Sequence, residues 1–184
     1  MSTIAVAQFA PGTDPVENLA RMSDLAEHAV ARGATLIVFP EYSSYFTPEM
    51  GDDWLLAAQR IDGEFVAGLS ELARRLSVHL VAGLVEKADS SHVRNALVAI
   101  DQSGDLVAAY RKVHLYDAFG ACESDWIQPG AIEDPETFEW AGFTVGMQTC
   151  YDIRFPEMTR RLVDAGADLV LVPSEWVRGP LKEH

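Results

Sequence analysis

Cysteine is scarce in this chain of 184 residues, with Cys122 and Cys150 the only two. Two cysteines build no disulfide framework, and their separation matches no metal-ligand spacing, so neither a stapled scaffold nor a bound metal is expected. A reducing, cytoplasmic home is the simplest expectation. Uncharged apolar runs are short as well: none approaches the ~18 residues a membrane span requires, and no membrane partner is expected. Met1-Ser2-Thr3 puts no basic stretch ahead of an apolar run, so the start does not read as a secretory signal. Positive charge is also in deficit, with 14 Lys+Arg against 28 Asp+Glu and a net charge of −14. Such a surface repels phosphate backbones and anionic lipid, so nucleic acid is not an expected partner. No glycine-rich phosphate loop follows the first apolar run, where Ala10-Pro11-Gly12-Thr13 stands. That absence argues against a non-enzymatic nucleotide-binding domain.

What is present is an ordinary globular composition, 48% hydrophobic and 23% charged, read as one domain over 1–184. Strand-like runs alternate with helical patterns. Residues 3–9 read as a strand. Asp14, Pro15 and Glu17 then form a helix start with a capping box. Glu17, Arg21, Asp24, His28 and Arg32 make one narrow polar stripe, which predicts a helix pressed broadly against a sheet and stopped at Gly33. Residues 35–39 are an all-apolar strand. Phe65, Leu69, Leu72, Ala73 and Leu76 mark a second helix, with Glu71 and Arg75 spaced for an exposed ion pair. Strands are predicted at 79–85, 94–101 and 106–111, the last two joined by a turn at 102–105. A loop over 116–135 leads to a strand at 143–149, a helix from Pro156 ended by Gly166, and a strand at 168–172. The order predicts an α/β protein with a mixed sheet.

Three residues sit at the ends of those strands, where ligand sites of α/β folds gather. Glu41 follows one strand through Pro40, Lys112 ends another, and Cys150 ends a third just before a Pro-started helix. Strand, sharp turn and helix together present a side chain in the manner of a nucleophile elbow. A thiol is weakly ionised at neutral pH and needs a base or a nearby cation. Glu41 is placed to supply the base and Lys112 the charge. Lys112 and the backbone N–H of Tyr151 are also placed to face an oxyanion.

Taken singly, each residue has a plain structural reading. A cysteine ending an apolar strand is more often a small buried hydrophobe, and a strand-end lysine or a glutamate after proline more often points into water. His114, between Val113 and Leu115, reads as a structural residue, and Asp152 with Arg154 as an ion pair shaping the turn. Cys122 reads as incidental. Tyr42, Tyr45, Tyr116, Phe119, Arg154 and Trp176 are candidates to line a substrate pocket, with core packing an equal alternative for the aromatics.

Three segments carry a further signal. Phe39-Pro40-Glu41-Tyr42, Tyr110-Arg111-Lys112-Val113-His114-Leu115 and Thr149-Cys150-Tyr151-Asp152-Ile153-Arg154-Phe155-Pro156-Glu157 resemble, in order, spacing and strand context, the three motifs of the nitrilase (carbon–nitrogen hydrolase) superfamily. The last segment further resembles the Nit-type branch of ω-amidase-like enzymes. The resemblance implies a four-layer α-β-β-α sandwich with Glu41 as general base, Lys112 as oxyanion-stabilising cation and Cys150 as nucleophile. It makes Glu123 the family's second glutamate, although from the residues alone Glu123 is a loop carboxylate. It also implies hydrolysis of a small carboxamide to acid and ammonia, no metal or organic cofactor, and a homodimer or larger assembly. A nitrilase or N-carbamoyl hydrolase of the same family is the alternative. Members ordinarily continue beyond the strand resembling residues 168–172, whereas this chain stops at Leu181-Lys182-Glu183-His184. The C-terminal part of the sandwich is therefore expected to be absent, with exposed edges and apolar faces. An inactive truncated homologue acting only in assembly is a further alternative.

Overall fold

The computed structural model of the chain describes residues 2–118 and 120–176. Phe119 and the 181–184 stretch lie outside the described residues. The elements are β1 (Ile4–Val6), α1 (Pro15–Val30), β2 (Leu36–Val38), α2 (Asp52–Ala57), α3 (Glu64–Leu76), β3 (His79–Lys87), β4 (Val93–Ile100), β5 (Leu106–Arg111), β6 (Thr137–Trp140), β7 (Phe143–Met147), α4 (Pro156–Asp164) and β8 (Leu169–Leu171). Single 3-10 turns form at Glu123–Asp125 and Cys150–Arg154.

Two sheets result. The larger runs in the order β1-β2-β3-β4-β5 and the smaller in the order β6-β7-β8. β1, β2 and β3 are parallel, β3, β4 and β5 antiparallel, and in the smaller sheet β7 is antiparallel to β6 and parallel to β8. Alternation along the strands builds the layers. Leu80, Ala82 and Leu84 of β3, with Ala96, Val98 and Ile100 of β4, face Met22 and Ala26 of α1 and Phe65, Leu69 and Leu72 of α3. Their neighbours Val81, Leu97 and Ala99 face Phe138, Trp140, Val145, Met147 and Leu171 of the smaller sheet. On that sheet's far side, Leu162 of α4 lies against Gly146. Helices, sheet, sheet and helix are the expected four layers. At the edge, Ile4 and Val6 pair in register with Leu36 and Val38. They stand on the inter-sheet side, yet Val6 is 84% exposed.

Several expectations change in detail. Asp14 caps α1 by accepting from the N–H groups of Val16 and Glu17, but no return bond from Glu17 completes a box among the described residues. α1 lies against the sheet as expected: Asn18, Met22 and Ala26 are fully buried, Leu19, Leu25, Ala29 and Val30 pack half-buried against the same core, and Val16 is exposed. The Glu71–Arg75 pair does not form. Arg75 reaches across to Glu27 and Ser23 of α1, and Glu71 pairs with Arg74. The turn at 102–105 closes as expected around Gly104 at φ 83°, a conformation that favours glycine. α2 lies between the strand at 35–39 and the second helix, and β6 between the loop 116–135 and the strand at 143–149, where no element is predicted.

Candidate active site

A close backbone crossing positions Glu41. The chain leaving β2 passes over β3 at Gly83, whose N–H donates to Pro40 O at 3.1 Å and whose carbonyl accepts from Ser44 N–H at 3.1 Å. A Cβ at residue 83 would lie 2.3 Å from Tyr42 N and 2.7 Å from Glu41 C, so only glycine admits the approach. Tyr42 turns the loop with φ 58°. Glu41 is thereby directed inward and is 1% exposed.

Lys112 arrives from the end of β5 and is equally buried, at 3%. Its Nζ donates to Glu41 Oε1 at 3.1 Å and to Glu123 Oε1 and Oε2 at 3.0 and 2.9 Å. Glu123, carried on its 3-10 turn, also accepts from Tyr42 OH and from Tyr116 N–H, both at 2.6 Å. Burial alone lowers the pKa of an ammonium, but here Glu41 and Glu123 outweigh it and hold Lys112 above its ordinary value. One ammonium and two carboxylates leave the cluster one negative charge in excess.

Cys150 completes the cluster. It ends β7's extension with φ 47°, a left-handed conformation costing a non-glycine residue about 1–2 kcal/mol. Its surroundings enforce it: Cys150 N–H donates to Pro173 O at 3.0 Å, and Asp152 N–H to Thr149 O at 2.9 Å. Cys150 is 9% exposed, and its sulfur accepts from Trp176 Nε1 at 3.1 Å. Burial and then the Glu41 charge push it up to about 12, against the opposing pull of Lys112 and Trp176. The resting group is therefore a neutral thiol beside a carboxylate, not a preformed thiolate.

The structure thus brings Glu41, Lys112, Glu123 and Cys150 together. Tyr42 joins them through its phenol, packed edge-on against Trp54 and fully inside. Tyr116, Arg154 and Trp176 gather at the outer side of Cys150. The Tyr116 ring meets Tyr151 edge-on at 5.1 Å, and the Arg154 guanidinium lies 5.9 Å from both the Tyr151 and Trp176 rings. Tyr45 belongs to the core instead, bonded to Asp53 and packed on Trp54. The expected Asp152–Arg154 pairing is replaced. Buried Asp152 accepts from Tyr110 OH at 2.7 Å, from His114 N–H and Nδ1 at 2.9 Å each, and from Thr149 N–H at 3.2 Å. His114 is held there, stacked on Phe155 at 3.7 Å. Cys122 is exposed. Two contributors were missed: Asn95, whose Nδ2 donates to Glu41 Oε1 at 2.6 Å, and the backbone N–H of Glu175, which donates to Glu41 Oε2 at 2.7 Å. A polar amide inside the apolar strand 94–101 was the available signal for the first.

Among the described residues no group of His, Cys, Asp and Glu is arranged to hold a metal ion, and no helix is long and apolar enough to cross a membrane. Two-sheet architecture and a buried Glu–Lys–Glu cluster against an elbow thiol define an α/β sandwich protein with a thiol-centred site. The chain belongs to the carbon-nitrogen hydrolase family, whose profile matches residues 3–183. It is 36% identical over 181 residues to a hydrolase of Mycobacterium tuberculosis, covering 97% of this chain and 63% of that protein. It is 35% identical over 181 residues to the deaminated glutathione amidase of Escherichia coli O157:H7, covering 98% and 68%, a likeness to the Nit-type branch. In structure it resembles an amidase from Nesterenkonia sp. AN1, in a mutant showing Michael addition of acrylamide at the active site cysteine. The TM-score is 0.80 at 28% identity, covering 96% of this chain and 68% of that one. The chain thus spans about two-thirds of the length of these relatives.

Proposed function

We propose that this chain hydrolyses a small carboxamide to a carboxylic acid and ammonia, through a thioester on Cys150. The observation that carries this is the buried Glu41–Lys112 ion pair, whose charges both act on the neutral Cys150 thiol. Glu41 takes the thiol proton as sulfur attacks the amide carbonyl, so the S–H bond breaks as the S–C bond forms. The oxyanion forms beside the Lys112 ammonium. The three bonds from Lys112 already go to carboxylates, so it stabilises the oxyanion by charge or by releasing one Glu123 oxygen. The N–H of Cys150 is engaged with Pro173 O, which leaves the N–H of Tyr151 as the elbow's donor. Protonated Glu41 then gives its proton to the leaving nitrogen, ammonia departs, and a water deprotonated by Glu41 hydrolyses the thioester.

Arg154, beside Cys150 and against Trp176, suits an amide that also bears a carboxylate; the E. coli relative is named a deaminated glutathione amidase. The same cluster serves nitrile or N-carbamoyl substrates up to the covalent intermediate, so these remain the second reading. A homodimer or larger assembly and a cytoplasmic setting complete the proposal. The test is ammonia release from a panel of simple amides, ω-amides of dicarboxylic acids, N-carbamoyl compounds and nitriles. Turnover greatest on carboxylate-bearing amides is expected; turnover confined to nitriles, or none with any of them, contradicts the reading.

A further inference from the structure

We propose that Asn95 is a positioning residue that reserves one oxygen of Glu41, Oε2, as the proton acceptor for Cys150. The inference rests on the reading of Glu41 as base. A carboxylate oxygen has two in-plane lone pairs. Those of Glu41 Oε1 are taken by Asn95 Nδ2 at 2.6 Å and Lys112 Nζ at 3.1 Å. Oε2 accepts from the N–H of Glu175 at 2.7 Å, and its second lone pair remains for the thiol proton. When the proton moves from Sγ to Oε2, the electron pair of the S–H bond stays on sulfur. The two bonds to Oε1 are kept, so the cluster needs no rearrangement during the transfer.

Three further features single out the amide. The second proton of Nδ2 points to Glu123 Oε1 at 3.5 Å, so one neutral group bridges both carboxylates. The carbonyl of Asn95 accepts from Lys112 N–H at 2.9 Å, which fixes the lysine backbone to the same residue. Its Oδ1, in contrast, is buried with no partner among the described residues. Burying an unsatisfied carbonyl is unfavourable, and a leucine would fill the strand without that cost. The side chain is therefore explained by its donors. Aspartate here would add a third carboxylate facing two others.

The test uses Asn95→Leu and Asn95→Ser and reads acrylamide alkylation of Cys150 against pH, with exposed Cys122 in the same digest as reference. Without the amide donor the Glu41 carboxylate loses a strong stabilising bond, so the acid limb of the alkylation profile moves up by about 1 pH unit in the leucine variant. The plateau rate falls about tenfold as the carboxylate loses its fixed orientation. The serine variant, retaining a hydroxyl donor, lies between leucine and parent. A purely structural role would lower the melting temperature and leave the limb in place. Superimposable limbs and plateaus for parent and variants overturn the proposal, and should the leucine variant not fold, the serine variant gives the same reading. Alkylation requires no amide turnover, so absence of ammonia release from the parent would contradict the proposed function while this test still reads Asn95.

Discussion

The indole N–H of Trp176 donates to Cys150 Sγ across 3.1 Å, so the sulfur is covered by a side chain that is itself 46% exposed. This bond pulls against the burial that raises the thiol. Trp176→Phe keeps a ring over the sulfur and removes the donor. Alkylation of Cys150 at pH 8 is expected to slow by about threefold, the loss of a partly solvated hydrogen bond, while Cys122 reacts unchanged. Equal rates for variant and parent would show that the indole only covers the thiol.

Stability should respond to alkali in a definite direction. The Cys150 thiol, ordinarily near 9, is held up to about 12 in the folded chain. Between those values the unfolded chain has lost a proton that the folded chain keeps, so stability falls as pH rises. Lys112 acts with the same sign: its contribution is complete below its ordinary 10.5 and is lost as pH climbs through its raised value. Melting temperature is therefore expected to stay level through the neutral range and to fall from about pH 9 upward. Cys150→Ser, which does not titrate there, should fall less steeply. Parallel curves for parent and variant would contradict the assignment of the thiol.

Gly83 tests the route by which Glu41 reaches the cluster. A methyl at residue 83 meets backbone atoms of Tyr42, Glu41 and Pro40 at 2.3, 2.7 and 2.8 Å, and none of these can rotate away. Gly83→Ala is expected to displace the loop and reduce amide hydrolysis by about a hundredfold, the scale of a 1 Å misplacement. The fold is expected to persist by circular dichroism. Undiminished hydrolysis would mean that Glu41 is not held by this crossing.

Asp152 joins the lysine strand to the elbow, since its carboxylate accepts from Tyr110 and His114 on one side and Thr149 on the other. Asp152→Asn turns one acceptor oxygen into a donor among donors. A loss of about 2–4 kcal/mol in unfolding free energy is expected, the range for breaking a buried charged network. Urea denaturation measures it, and a change under 1 kcal/mol would exclude this role.

The parts of this architecture visible in the sequence were those governed by local rules. Asp14-Pro15 started α1, the spacing of Phe65, Leu69, Leu72 and Leu76 marked α3, and Leu106–Arg111 was bounded by its turn. Glu41, Lys112 and Cys150 were visible because each ends a strand, and Glu123 only through family resemblance, since nothing about a loop carboxylate announces a lysine partner 11 residues away in sequence. Asn95 went unnoticed because its role depends on which neighbour β4 meets across the sheet. Arg75 and Asp152 were assigned nearby partners, whereas the fold offered distant ones in better geometry. α2 and β6 are too short for periodicity to distinguish from loop.

The most direct test of the central claim is a single-turnover reaction of the chain with a small primary amide, quenched in acid and read by peptide mass. An acyl group is expected on the peptide carrying Cys150, formed together with one equivalent of ammonia and absent from Cys150→Ala. Ammonia release by Cys150→Ala at the parent rate, or an acyl group on Cys122 instead, would contradict the claim.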